Sequence, residues 1–138
     1  MFRLADIGKV WVPVALPIGE DGAGTQIHLR MRLLTRKELR ERERSAMVRT
    51  AGELVATAEK IRTTEDLQRV FDAVTQVEAT DLQELADRID DWRDVYDEAG
   101  EPQAFSAERL AACLDYLWFF QAAREALFRA SREGVAKN

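Results

Sequence analysis

Residues 9–18 read KVWVPVALPI and residues 25–34 read TQIHLRMRLL, two stretches in which strongly apolar side chains occupy every second position. An alternation with a period of two is typical of a strand that buries one face. The turn-forming sequence GEDGAG at 19–24 joins the two stretches, so residues 9–34 predict a β-hairpin. Pro13 and Pro17 lack a backbone N–H, which restricts the first strand to the edge of a sheet. A lone hairpin is marginally stable in water, so its apolar face must pack on something else.

The remainder of the chain has the three- and four-residue apolar spacing of helices. Thr35 and Glu38 form a capping-box pattern at the start of the first one, and Ser106 is placed to cap the last. The spacing predicts helices over 36–61, 64–79, 81–95 and 107–132. We therefore predict a mainly α protein, a single domain over 1–138 in which the hairpin docks on a bundle of about four helices and residues 133–138 form a flexible tail.

Composition excludes several classes of protein. The 138 residues are 46% hydrophobic and 33% charged, which is ordinary for a soluble globular domain. The sequence has no run of about 18 apolar residues that would span a membrane, and residues 1–11 lack the apolar core of a signal peptide. The single cysteine cannot form an internal disulfide. We expect a cytoplasmic protein that does not bind membranes.

The residues of catalytic and metal sites are not found in recognisable arrangements. His28, the only histidine, falls on the polar face of the second predicted strand, and Cys113 falls in an apolar helical stripe. Residues 22–25 contain two glycines but lack the lysine and the strand-to-helix context of a phosphate-binding loop. We expect no enzymatic activity, no cofactor and no metal site.

Acidic residues concentrate in one segment. Residues 81–101 contain nine carboxylates and two arginines. If 81–95 is a helix, Asp87, Asp91 and Asp94 share one face with Asp90, where they could bind a cation or a basic partner or simply be solvated. The segment does not match the calcium loop of an EF-hand.

Basic residues concentrate at the start of the first predicted helix. Residues 36–44 hold five cations, Arg36 and Arg40 among them, against three glutamates at spacings that allow pairs within the helix. With so little apolar surface, we expect these turns to project beyond the core. The net charge of −5 argues against nucleic-acid binding. A basic and an acidic region on one chain suit head-to-tail self-assembly.

The last predicted helix contains the run YLWFF at 116–120, which is apolar almost all the way round. Such a helix is either enclosed by neighbouring elements or contributes to an interface. Trp118, Phe119 and Phe120 are therefore candidate partner-binding residues.

Residues 92–110 read WRDVYDEAGEPQAFSAERL, a tryptophan followed by a D-E-x-G-x-P turn, Phe-Ser and a capped helix. Together with the Val- and Pro-rich hairpin and a charged helix opened by T-x-x-E, this pattern resembles the tail assembly chaperones of long-tailed, siphovirus-type bacteriophages and prophages. The resemblance covers most of residues 9–132.

The resemblance implies a non-enzymatic role in tail assembly. Proteins of this family bind the long helical tape measure protein, help the tail tube protein polymerise around it, and are absent from the finished particle. For this chain it implies self-association and client contacts through Trp118, Phe119 and Phe120. The Asp87, Asp91 and Asp94 stripe and the free edge of the hairpin are secondary candidates. Two other interpretations stay open. One is a structural adaptor or other small phage or prophage tail protein retained in the particle, and the other is a nucleic-acid-binding regulator that uses residues 36–44.

Overall fold

The computed structural model describes residues 8–19, 24–44 and 64–135. The strands are β1 (Lys9–Leu16), β2 (Thr25–Arg32) and β3 (Ile89–Arg93). The helical segments are α1 (36–44), α2 (Thr64–Arg88), α3 (Ala107–Leu114) and α4 (Leu117–Glu133). Outside the described residues lie residues 20–23 of the turn predicted at 19–24, the part of the helix predicted over 36–61 that follows residue 44, and residues 136–138 of the predicted tail.

The predicted hairpin is confirmed. β1 and β2 pair antiparallel, with Val12 opposite Leu29 and Val14 opposite Ile27, and all four side chains are buried. The strand order β1-β2-β3 places β1 at the edge, as Pro13 within it requires. Gly24 is needed just before β2, because a Cβ atom there would lie 2.6 Å from the carbonyl oxygen of Leu16.

The prediction of a mainly α fold is wrong. The described residues form a mixed structure with a three-stranded antiparallel sheet, and its third strand lies within the segment predicted as a helix over 81–95. Ile89 and Trp92 are both buried and stand three residues apart, which is a helical spacing. A β-bulge produces that spacing, since the register with β2 shifts at Arg30 and Met31 and leaves one extra residue on β3.

Two helix boundaries also differ from the prediction. α2 continues through the expected break at 79–81 and ends at Arg88. The helix predicted over 107–132 is two helices, α3 and α4, separated by Asp115 and Tyr116. The predicted cap at Ser106 is confirmed, since its hydroxyl accepts a hydrogen bond from the N–H of Arg109 at 3.1 Å.

One hydrophobic core lies between the sheet and the helices. α4 packs along β1. The hydroxyl of Ser131 in α4 accepts a hydrogen bond from the N–H of Leu34 at 3.1 Å, which connects α4 to the segment that follows β2. The least exposed large side chains are Val12, Val14, Leu29, Met31 and Leu110. The helices thus cover one face of the sheet and leave the other face to polar side chains.

Candidate functional site

Two of the four exposed large hydrophobic side chains among the described residues are adjacent at the junction between α3 and α4. We call Tyr116, Leu117, Trp118 and Phe120 the aromatic corner. Tyr116 is 61% and Leu117 64% exposed, whereas Trp118 and Phe120 are half-buried against the core. A cluster of exposed apolar side chains is typical of a protein-binding surface.

The local structure explains why these side chains reach the surface. The N–H groups of Asp115 and Tyr116 donate to the carbonyls of Ala111 and Cys113 and so end α3. The carbonyl of Tyr116 then accepts hydrogen bonds from the N–H groups of Phe119 and Phe120, and α4 begins there. Its side chains are therefore rotated about the helix axis relative to a continuation of α3. In one continuous helix Leu117 would lie in the buried stripe, but the restart turns it outward.

The three aromatic residues predicted to bind a partner have different environments. Phe119 is only 4% exposed and belongs to the core, so its ring is not on the surface. Trp118 lies between it and Tyr116, with ring centroids 6.0 Å from Phe119 and 5.8 Å from Tyr116. Trp118 therefore joins the exposed part of the corner to the core, which holds the surface side chains in place.

The acidic residues predicted on one helical face are not on one helix. Asp87 lies on α2, where it is exposed and accepts a hydrogen bond from Gln83 at 2.9 Å. Asp91 lies on β3, and Asp94 follows the strand with a positive φ of 67°. The predicted stripe is wrong, because it assumed a helix where the chain forms a bulged strand.

Most of these carboxylates have partners within the chain. Asp90 accepts from Arg30 at 2.6 Å and contacts Lys9 at 3.1 Å. These two cations lower the pKa of Asp90, the hydrogen bond from Arg30 contributing most. Asp94 bonds His28 at 2.7 Å across the end of the sheet. The sequence did not suggest a role for His28, because the contact joins residues 66 positions apart.

The polar face of the sheet is organised around Trp11. The guanidinium carbon of Arg93 lies 3.8 Å from the centroid of its ring, and that of Arg30 lies 5.7 Å away. Cations over an indole face are stabilised by the ring quadrupole. The half-buried Trp11 is thus covered by its own neighbours, which leaves the aromatic corner as the better candidate for a partner.

α1 does not project beyond the core as expected. Its capping box forms: Thr35 N–H donates to Glu38 at 3.1 Å, and the N–H of Glu38 donates to the Thr35 hydroxyl at 3.2 Å. Glu38 also pairs with Arg88 at 2.6 Å, and Arg42 pairs with Glu84 of α2. Glu38 and Arg42, whose spacing allows a pair within the helix, instead make these contacts between helices.

Arg88 is the buried centre of this ionic cluster. Its side chain is 4% exposed and donates to the carbonyl oxygens of Arg32 at 3.1 Å and Leu33 at 3.3 Å. The N–H of Thr35 and the guanidinium of Arg88 lower the pKa of Glu38 from 4.5 to about 2. The cluster stabilises the junction of α1, α2 and the sheet.

Residues 92–105 have a structural role. The indole N–H of Trp92 donates to the carbonyl of Gln103 at 2.6 Å, and its ring meets Phe105 edge-on at 5.3 Å. Asp97 closes the predicted turn by accepting the N–H groups of Ala99 and Glu101 at 2.9 and 3.0 Å. These residues hold the chain between β3 and α3.

Metal-ligating side chains do not cluster in the described parts of the chain. No group of three or more His, Cys, Asp or Glu side chains there is arranged to hold a metal ion. Burial raises the pKa of the Cys113 thiol, which keeps it protonated and a weak nucleophile. Within the same described ranges, no helix has the length and apolar character needed to cross a bilayer.

Comparison of the chain with protein-family models, with curated proteins and with solved structures finds no match. The surface and the fold are therefore the observations from which a function can be proposed.

Proposed function

We propose that the protein is a tail assembly chaperone of a long-tailed phage or prophage, a non-enzymatic protein that binds the tape measure protein during assembly of the tail tube. The observation that supports this proposal is the aromatic corner, where Tyr116 and Leu117 are more than 60% exposed at the junction of two helices. The pattern of residues 92–110 adds the family resemblance.

The corner suits a helical client. A tape measure protein presents long amphipathic helices before it is enclosed by the tube, and their apolar stripes need temporary cover. Tyrosine and tryptophan are over-represented among the residues that dominate binding energy at protein interfaces. Tyr116 and Leu117 offer apolar area to the client, while Trp118 supports them from the core side.

The experiment is co-expression of the chain with the tape measure protein of the same phage or prophage, followed by co-purification and measurement of the dissociation constant. The test variant is Tyr116→Ser/Leu117→Ser, in which both side chains are exposed and the fold should survive. We expect less soluble tape measure protein and a dissociation constant at least about 30-fold higher, since the loss of a single side chain that dominates an interface costs about 2 kcal/mol or more.

The matched control is Ile18→Ser/Tyr96→Ser. These two side chains are 50% and 60% exposed and are not members of the aromatic corner. The control should bind like the wild type, and circular dichroism should show equal helicity for both variants. Equal loss of binding in both variants, or no loss in either, would remove the corner from the proposal.

A second measurement addresses the role in assembly. A chaperone leaves the structure that it helps to build, so this chain should be absent from purified mature particles by mass spectrometry. Detection of the chain at a fixed copy number per particle would favour a structural adaptor over a chaperone.

A further inference from the structure

The outer side of α3 borders the aromatic corner. Four exposed residues on this side are called the α3 face: Glu108, Ala111, Ala112 and Asp115. Their spacing of i, i+3, i+4 and i+7 places them on one side of the helix. The opposite side carries Leu110 and Leu114, which are buried in the core. Because the chain continues from this face directly into Tyr116 and Leu117, the two exposed surfaces are neighbours.

The shape of this surface suits a helix. The distance between two packed helices depends on the side chains at the contact, and the α3 face has two alanines at its centre, Ala111 and Ala112. Another helix can therefore approach α3 closely. Tyr116 and Leu117, at one end, supply the large apolar side chains that such a helix would cover.

Both charged members of the α3 face are acidic. Glu108 and Asp115 lie two helical turns apart, about 10 Å along the axis. Neither forms an ion pair with any residue that the structure describes. The cation nearest to both in the sequence, Arg109, instead donates to the carbonyl oxygen of Ala104 at 2.8 Å. The border of the apolar surface therefore carries negative charge.

From this shape and charge we infer that the aromatic corner and the α3 face together bind a basic amphipathic helix, one whose apolar stripe is bordered by lysines or arginines. The inference rests on the proposed function and names the chemistry of the client segment. The apolar stripe packs on the two alanines and the corner, and two cations seven residues apart contact Glu108 and Asp115. Cations at that spacing lie on one side of a helix, so a single segment supplies both.

Other occupants fit the charge of this surface less well. A second copy bound through the same surface would form a two-fold contact, which uses the same patch on both molecules. That contact would bring Glu108 and Asp115 close to their counterparts, and like charges across an interface oppose binding. The same two carboxylates repel a nucleic acid or an anionic membrane. A basic helix is therefore the occupant that the charge favours.

The test compares the binding of two synthetic peptides of about 18 residues to the full chain by fluorescence anisotropy. Both peptides have the same leucine stripe at helical spacing, bordered by lysines in the basic peptide and by glutamates in the acidic one. The basic peptide should bind at least about tenfold more tightly at about 50 mM NaCl. The difference between the two dissociation constants should shrink at about 500 mM NaCl, because salt screens exposed charges.

Charge reversal on the α3 face separates local attraction from the effect of net charge. In Glu108→Lys/Asp115→Lys the preference for the basic peptide should be lost or reversed. The matched control, Glu98→Lys/Glu101→Lys, changes the net charge of −5 by the same amount at two exposed carboxylates outside the face, and it should keep the preference. Glu108→Gln/Asp115→Asn, which introduces no new charge, should reduce the preference by an intermediate amount. Circular dichroism should show equal helicity for all variants.

Three results would overturn the inference. The first is equal affinity of the wild type for the two peptides, and the second is an equal change of preference in the two reversal variants. The third is a wild type that is dimeric by sedimentation velocity and becomes monomeric in Tyr116→Ser/Leu117→Ser, because a second copy would then cover the surface.

Co-purification with the tape measure protein distinguishes this inference from the proposed function. If the wild type and Glu108→Lys/Asp115→Lys bind the tape measure protein equally well, the proposed function stands and the inference fails. If neither binds it while the wild type keeps its preference for the basic peptide, the inference stands and the proposed function fails.

Discussion

Replacement of the buried Arg88 tests whether the ionic cluster stabilises the fold. In Arg88→Met the guanidinium is lost while a side chain of similar length still fills the space along the stem. The carbonyl oxygens of Arg32 and Leu33 each lose a hydrogen-bond donor. Glu38 loses the guanidinium that lies 2.6 Å from its carboxylate in the wild type. The substitution should therefore destabilise the junction of α1, α2 and β2.

The expected magnitude follows from the exposure of the groups involved. Removing one partner of a fully buried ion pair costs about 3–5 kcal/mol. Here Arg88 is 4% exposed, but Glu38 is 36% and Glu84 23% exposed, so water can solvate the remaining carboxylates. We expect a loss of about 3 kcal/mol in the free energy of unfolding, at the lower end of that range. At this chain length the loss lowers Tm by about 10 °C.

Urea denaturation followed by circular dichroism measures the effect at pH 7. The matched control is Arg42→Met, which removes a cation from the same cluster at a side chain that is 34% exposed, and should cost about 1 kcal/mol. Glu38→Gln/Glu84→Gln placed on the Arg88→Met background should restore part of the stability, because it removes the charges left without a partner. Equal losses for Arg88→Met and Arg42→Met would refute the reasoning.

Three further predictions concern other parts of the fold. The contribution of Glu38 to the free energy of unfolding is complete above pH 4.5 and is lost as the pH falls toward its folded pKa of about 2. The difference in unfolding free energy between wild type and Glu38→Gln should therefore shrink between these two pH values. A difference that stays constant with pH would contradict this prediction. Gly24→Ala places a Cβ atom 2.6 Å from the carbonyl oxygen of Leu16 and should cost about 1–3 kcal/mol in thermal unfolding, and a neutral result would show that the chain shifts freely there. Trp92→Phe removes the donor to the carbonyl of Gln103 and should cost about 1–3 kcal/mol by urea denaturation, whereas an unchanged midpoint would show that this bond is dispensable.

The hairpin could be predicted because its evidence is local. Alternation over eight residues specifies which side chains are buried, and the prolines specify which strand lies at the edge. The capping pairs Thr35–Glu38 and Ser106–Arg109 were equally accessible, since each is formed within four residues.

The third strand could not be predicted from the same kind of evidence. In β3 the bulge opposite Arg30 and Met31 places Ile89 and Trp92 on the core side with helical spacing. A bulge depends on the partner strand, which is about 60 residues away in the chain. The acidic stripe was an error of the same origin, because its spacing has meaning only on a helix.

The candidate site was predicted in part. The run at 116–120 was identified from its composition, but the break between α3 and α4 decides which of its members are exposed. Phe119 enters the core, whereas Leu117 is 64% exposed. The sequence could not distinguish these two residues, because both are large and apolar and the break depends on how α4 packs against β1.

What the sequence by itself determined is the set of local features: the hairpin, the caps, the turn at 97–101, and the separation of acidic and basic segments. Only the tertiary structure decided which charges are neutralised. Arg42 of α1 is paired with Glu84 of α2, and Arg88 of α2 is paired with Glu38 of α1. Arg36 and Arg40 of α1 are instead exposed to solvent. The physical reason is that ion pairs require contact within about 4 Å, and such contacts between distant segments are set by packing of the core.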